Sequence, residues 1–386
     1  MKRNIILINL SGALLWMGMY TYVPTMPAYA ASIGASVVMI GILAGVYGLL
    51  QTLLRIPLGI ISDKINKDRL LLLVGFAVLI AANLLFVLQD DDIGLMILAR
   101  SIAGAAAAWW VVICAAYTKY HSEDEQVKAQ GVLSASASAG KMVAAVLCAI
   151  VAQFFGYKAT FISALAVAVL GFVLMTGIKE QKNIKPHEPV RFKEQMALFK
   201  NKELMIFCVL GMVSQLVCFG VCTTFTPVAA EALNADSFTL GMLLTVYFAA
   251  VTLGSLIPSS GFYRRFGGIA ALVLGTLLQL VSAVPLFYHV NIPLIFLMQA
   301  LSGVGYGVYQ SVLSGFVVRS VAPAQRGMAT GIFQSIYGLG ILFGPMITGF
   351  IAGAAGLDAG YWVMAAIAAA SVFICLAIPK KYVAMT

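Results

Sequence analysis

Residues 134–153 read SASASAGKMVAAVLCAIVAQ, small and apolar almost throughout, with Lys141 near the centre. A helix of this composition partitions into lipid, yet a lysine at mid-helix costs roughly 2.5–3.5 kcal/mol on insertion scales. Either the stretch lies outside a membrane, or Lys141 faces something that makes its charge worth keeping.

The rest of the chain decides the first half of that choice. Its 386 residues are 61% hydrophobic and 10% charged, against about 45–50% and about 25% for a soluble globular chain. Charge is also segregated: Asn4–Leu54 and Phe266–Val318 carry none, and each run far exceeds the ~20 apolar residues that cross a bilayer. The chain is read as an all-α, multi-pass protein of the cytoplasmic (inner) membrane. Its cysteines (Cys114, Cys148, Cys208, Cys218, Cys222, Cys375) sit in apolar segments without metal-ligand spacing, so no disulfide framework is implied. His121, His187 and His289 form no cluster. No catalytic residue, metal, cofactor or nucleic-acid partner is expected. The basic N-terminus runs into an apolar stretch too long for a signal-peptide core, so it reads as the first span.

Apolar runs between polar or Gly/Pro-rich breaks predict twelve spans: 4–25, 37–61, 69–89, 93–117, 128–152, 158–178, 204–226, 238–260, 268–288, 292–317, 328–352 and 359–379. The polar break at 179–203, rich in Lys and Arg, divides a six-helix bundle at 1–178 from another at 204–386. Four of the basic residues (Arg55, Arg100, Lys141, Lys158) lie within or at the outer end of spans. The rest fall at the N-terminus, the even-to-odd loops, the central loop and the C-terminus. The positive-inside rule then puts both termini in the cytoplasm.

The halves overlay at an offset of about 200 residues, the mark of an internal repeat. VYGLLQTLLRIPLGIISDK (46–64) matches VYFAAVTLGSLIPSSGFYR (246–264), and AQGVLSASASAGKM (129–142) matches ATGIFQSIYGLGIL (329–342). Parallel repeats of six helices around a central cavity are a known transporter layout.

Three segments carry a resemblance to the major facilitator superfamily that covers essentially the whole chain. GIISDKINKDR (Gly59 to Arg69) resembles the family's G-x-x-x-D-[RK]-x-G-[RK]-[RK] loop between spans two and three. The resemblance makes Gly59, Asp63, Lys64, Lys67 and Arg69 a conformational latch between the cytoplasmic ends of the halves. Asn66 stands where Gly is usual, and Asp68 interrupts the basic pair. RSIAGAAAA (Arg100 to Ala108) is similar to the family's R-x-x-x-G motif, and GLGILFGPMITG (Gly338 to Gly349) holds a G-x-x-x-G-P pattern. There Gly340, Gly344 and Pro345 should pack helices closely. The drug–proton antiporters of the family carry G-x-x-x-G-P in span five, where this chain has Ala144 and Ala145 instead.

Every carboxylate falls in a loop or at a span end, so three bases stand in the membrane without a visible partner. At 1.5 Å per residue, Arg55 lies about 12 Å above the cytoplasmic boundary and Arg100 about 10 Å below the outer face. By the same measure Lys141 lies about 20 Å from the start of span five, near the middle of the ~30 Å core. Arg55 could instead snorkel or meet backbone carbonyls at a helix end, Arg100 could anchor conformation, and Lys141 could reach along its stem toward one interface. Against the last, Ser134, Ser138 and Lys141 share one helical face, and a polar face at mid-membrane should look into a cavity. Lys141 aligns with Ile341, Arg55 with Ser255 and Arg100 with Gln299, so all three charges belong to the first half. Opposite them stand Gln299, Ser302, Tyr306 and Gln310 at helical spacing, Gln215 on span seven, and Trp16 and Tyr20 on span one. Trp109 and Trp110 read as packing or interfacial residues.

A cavity positive on one wall and hydrogen-bonding on the other suits a small or amphipathic organic anion. The leading expectation is a monomeric secondary transporter for such an anion. Protons would ride on the substrate or on Lys141, or play no part in an exchanger. The alternative is a proton-coupled multidrug efflux transporter, which would need a buried carboxylate that the sequence does not supply. A membrane enzyme or receptor would need a buried His, Asp or Glu cluster or a long loop domain, and the sequence has neither.

Overall fold

Lipid offers no hydrogen bonds, so a spanning segment must satisfy its own backbone, and a helix does so internally. The computed structural model describes residues 2–65, 67–121, 126–179, 197–257, 261–322, 325–376 and 378, with the side chains of 63, 64, 118, 126–128 and 261–266 outside that description. The described residues are helical apart from short turns. In the first half α1 (Lys2–Tyr20), α2 (Met26–Ser32), α3 (Val37–Lys64) and α4 (Asp68–Leu88) precede α5 (Ile93–Ala108), α6 (Trp110–Thr118), α7 (Gln126–Phe155) and α8 (Tyr157–Thr176). The second half runs α9 (Lys202–Val217), a π-helical turn (Cys218–Thr223), α10 (Phe225–Ala232), α11 (Ser237–Leu256) and α12 (Gly261–Ser282). A 3-10 turn (Pro285–His289), α13 (Ile292–Arg319), α14 (Arg326–Ala355) and α15 (Leu357–Leu376) complete it.

Among the described residues ten helical stretches are long and apolar enough to cross a membrane. The expected first and ninth spans are not among them. The first breaks after Tyr20, short of the expected 25, where a turn containing Pro24 leads into α2. The ninth, expected over 268–288, stops at Ser282 ahead of the 3-10 turn at Pro285–His289, and with a kink at Gly267 (φ 79°) just before it the apolar part is only Gly267–Ser282. The seventh is broken by the π turn, where the Cys222 carbonyl accepts from Gln299 Nε2 at 2.9 Å and the Val221 carbonyl accepts from Thr226 Oγ1 at 3.1 Å. Those carbonyls are bonded outside the regular helix ladder, which is how such bulges are sustained. The break expected at 179–203 lies outside the described residues over 180–196.

The internal repeat is present in three dimensions. Within the first half α1 packs on α7, α3 on α5 and α4 on α8; within the second α9 packs on α14, α11 on α13 and α12 on α15. Equivalent glycines make the closest approaches: Gly104 meets the Tyr47 carbonyl as Gly303 meets that of Tyr247, and Gly140 meets the Ala13 carbonyl as Gly340 meets that of Met212. Two long helix pairs carry most of the contact between the halves, α3 with α14 and α7 with α11, and the short helices α2 and α10 also meet across them. In the first, a Cβ on Gly41 would lie 2.5 Å from the Pro345 oxygen and one on Gly48 2.5 Å from the Leu342 nitrogen, so two backbones touch directly. In the second, Gly241 lies against Ala149 and the Phe238 amide donates to Gln153 Oε1 at 3.1 Å.

Candidate functional site between the two halves

Close approach of α1 and α7 at Gly140 sets the position of the next residue, Lys141. Its Nζ sits 3.9 Å from the Trp16 ring centroid and 5.2 Å from that of Tyr20. Trp16 and Tyr20 are buried, while Lys141 and Ser138, one turn earlier, keep partial exposure. A cation over an indole face within about 6 Å is attracted by the ring quadrupole, more strongly once desolvated. This contact offsets part of the cost of a mid-membrane ammonium.

The rings do not stop at Tyr20. Trp110 meets Trp16 edge-on at 5.8 Å, and on the other side Tyr20 meets Phe248 of α11 at 5.4 Å, crossing from one half to the other. Phe248 adjoins Tyr247, which lies 6.3 Å from Tyr306. Gln215 Nε2 donates to the Tyr306 hydroxyl at 2.9 Å, and the Cys218 thiol lies 2.9 Å from the Tyr247 hydroxyl. An aromatic belt therefore links Lys141 on the first half to Tyr306 and Gln215 on the second.

Arg55 also faces the second half. Its Nη1 donates to the Gln334 carbonyl at 3.2 Å and to the Tyr337 hydroxyl at 3.0 Å, both on α14, and its guanidinium lies 5.3 Å from the Tyr337 ring centroid. The side chain is 1% exposed, and its Nε and Nη2 have no partner among the described residues. Arg100 stays inside the first half: Nη1 donates to the Tyr22 hydroxyl at 3.2 Å, and the guanidinium lies 4.2 Å from the Tyr47 ring centroid. Among the described residues the acidic side chains that form ion pairs do so with Lys119, Lys158 and His289, not with these three bases.

The expected polar stripe on α13 divides. Tyr306 and Gln310 are partly exposed, and Gln310 Oε1 has no partner among the described residues. Gln299 and Ser302 are enclosed and hold the π turn, Ser302 through the Cys222 thiol at 2.8 Å. Gly344 lies 2.5 Å, measured from a built Cβ, from the Leu216 oxygen, so it packs α9, and the Pro345 oxygen faces Gly41 of α3. Of the expected latch, the side chains of Asp63 and Lys64 lie outside the described residues. Gly59 faces Val111, and Lys67 and Arg69 are exposed. Sequence reasoning passed over Asp68, whose carboxylate meets Lys119 Nζ at 2.6 Å and ties the start of α4 to the end of α6. Trp110, expected to serve packing or the interface, packs edge-on against Trp16.

The sequence profile of the Major Facilitator Superfamily matches residues 8–230 and 207–384. The chain belongs to that superfamily. Like its superfamily relatives, it is a multi-pass membrane transporter and not an enzyme. One of these, Inner membrane transport protein YajR of Escherichia coli (strain K12), is 25% identical over 87% of this chain and 74% of its own. A Helicobacter pylori (strain P12) protein named "Probable sugar efflux transporter" is 25% identical over 84% of both chains. Among solved structures, the nucleoside transporter NupG superposes with a TM-score of 0.76 at 16% identity, over 97% of this chain and 98% of that one. The human organic anion transporter MFSD10 (TETRAN) does so at 0.69 and 16% identity, over 97% and 99%. These likenesses show the superfamily fold.

Proposed function

We propose that the chain is a secondary transporter of a small or amphipathic organic anion, bound between the halves and released by alternating access. The observation that carries this is Lys141: an ammonium at mid-membrane, partly exposed, set against aromatic rings. Arg55 adds a guanidinium edge whose Nε and Nη2 have no partner among the described residues, the fork geometry that suits a carboxylate. An anion entering this partly desolvated region gains far more Coulomb energy than it would in water. Named substrates among the relatives range over sugars, nucleosides and organic anions, so the reading rests on charge and not on kinship. Arg100, enclosed by Tyr22 and Tyr47, acts in it as a strut behind the site, and Tyr20, Gln215 and Tyr306 form its aromatic and hydrogen-bonding wall. Twelve spans in two bundles, 1–178 and 204–386, joined by a linker at 179–203, belong to the same proposal, with cytoplasmic termini in an inner membrane and a monomeric unit.

Purified protein in proteoliposomes tests it. A panel of aromatic and aliphatic carboxylates, matched neutral amides and matched amines is offered, with uptake and thermal shift measured. At least one carboxylate should bind and move, and Lys141→Met should lose binding while remaining monodisperse. Selective transport of amines, or undiminished carboxylate transport in both Lys141→Met and Arg55→Met, overturns it.

A further inference from the structure

The contact between Lys141, Trp16 and Tyr20 has the form of an ammonium site filled by the chain's own side chain. Aromatic faces gathered around a cation are the arrangement by which proteins recognise alkylammonium groups. Here both rings are held from behind, Trp16 by Trp110 and Tyr20 by Phe248. Trp16 and Tyr20 are 7% and 4% exposed. No carboxylate meets Lys141 among the described residues, so the rings are its partners.

The repeat supplies an internal control. The packing equivalences Ala13 with Met212 and Gly140 with Gly340 carry Trp16 onto Gln215, Tyr20 onto Phe219 and Lys141 onto Ile341. The second half thus has the same helix pair at the same separation, but neither the indole nor the charge, and Ile341 is simply buried at 3% exposure. Close packing of the two helices does not require the box; it goes with the lysine.

We propose that Trp16 and Tyr20 form a binding site for a primary alkylammonium group, and that Lys141 is a specificity-determining residue which keeps that site occupied and so bars cationic ligands from the centre of the transporter. Lys141→Ala removes the side chain beyond Cβ, three carbons and the nitrogen, which is the heavy-atom skeleton of n-propylammonium. The free ion should enter the space so opened and restore the contact. The inference goes beyond the anion reading and does not need it, because ammonium binding is measured with no anionic cargo present.

The test uses the full chain purified in detergent. n-Propylammonium chloride is titrated at constant ionic strength against sodium chloride, with tryptophan emission and melting temperature recorded. Lys141→Ala should bind it saturably, at least tenfold more tightly than wild type, where the tethered amine competes, and than Lys141→Met, where the box is filled. The double variant Lys141→Ala/Trp16→Leu should lose binding at least tenfold, and n-propanol, of matching size without charge, should fail to bind Lys141→Ala. If Lys141→Ala is not monodisperse, Lys141→Ser opens the same space. Absence of a saturable response in the small-residue variant overturns the proposal, as does an equal response in the double variant or with n-propanol.

Discussion

Gly48→Ala probes the seam that joins the halves. A Cβ built on Gly48 would lie 2.5 Å from the Leu342 nitrogen, 2.9 Å from the Leu342 Cα and 2.9 Å from the Gly338 oxygen. All three are backbone atoms of α14, so no side chain can swing aside. Opening the 2.5 Å contact to ordinary van der Waals separation requires α3 and α14 to part by about 1 Å locally, and overpacking of this kind costs about 1–3 kcal/mol. The strain exists only where the helices touch at Gly48, so it acts on that state and not on one in which the seam has opened there. At about 1.4 kcal/mol per factor of ten, the closed-seam population falls roughly 5- to 150-fold relative to the open one. Spin labels on Ser36 and Ala355, both exposed at one end of the seam, report this by double electron–electron resonance once the native thiols are replaced. The short-distance population should drop in Gly48→Ala. It should persist in Gly331→Ala on α14, whose built Cβ meets nothing within 4 Å. Identical distance distributions and melting temperatures in wild type and Gly48→Ala would refute the idea that direct backbone contact holds the seam.

Arg100→Lys should lower the melting temperature at a cost of about 1–3 kcal/mol, because an ammonium cannot both stack on Tyr47 and donate to Tyr22 as the planar guanidinium does; thermal denaturation in detergent checks it. Asn83→Ala removes donors to the carbonyls of Gly18 at 3.2 Å and Ala164 at 3.0 Å, which bridge α1, α4 and α8. Losing two buried bonds should cost about 1–3 kcal/mol, read in the same way. At the turn before α5, the Asp91 carboxyl is held below its usual range by hydrogen bonds from Tyr29 and Lys158. Its stabilising effect is therefore present above the ordinary aspartate value of about 4 and is lost as pH falls through the lowered folded-state value. Asp91→Asn should flatten the acid limb of a melting-temperature profile, and should do so less in high salt, because the group is exposed.

Most helix boundaries were legible because lipid imposes a length and a polarity that do not depend on tertiary partners. Observed α3, α4, α8, α11 and α13 begin within a residue or so of their expected starts. The breaks in the first and seventh spans were not legible, since the composition there stays apolar and the cause lies elsewhere. Gln299, 77 residues away, draws off the Cys222 carbonyl, and only the threonines at 223, 224 and 226 and Pro227 hinted at it. Lys141 was legible as a charge in need of a partner because its cost at mid-span is a one-body quantity. Its position over Trp16, and the grip of Arg55 on Gln334 and Tyr337, are pair quantities between segments far apart in the chain. Asp68 read as a blemish in a basic motif, although its partner Lys119 makes it part of the helix-end frame.

The repeat gives this asymmetry a physical reading. Two halves with one packing scheme share their glycines, since those sites are set by backbone against backbone: Gly104 and Gly303 each press on a tyrosine carbonyl. Sites facing away from such contacts are free to diverge, and they do so in one direction. Where the first half places Arg100 against Tyr22 and Tyr47, the second places Gln299, which bonds the Cys222 carbonyl. Where the first places Lys141 over Trp16, the second places Ile341 and Gln215, and Gln215 orients Tyr306. One half thus supplies fixed charge and the other supplies neutral hydrogen bonds, with Tyr20 and Phe248 in contact between them. Under the proposed function, a cargo that needs both would be held fully only while the halves face each other across the centre. Rocking them apart would then weaken its binding from one wall without discharging the other, so that release would follow from motion and not from chemistry.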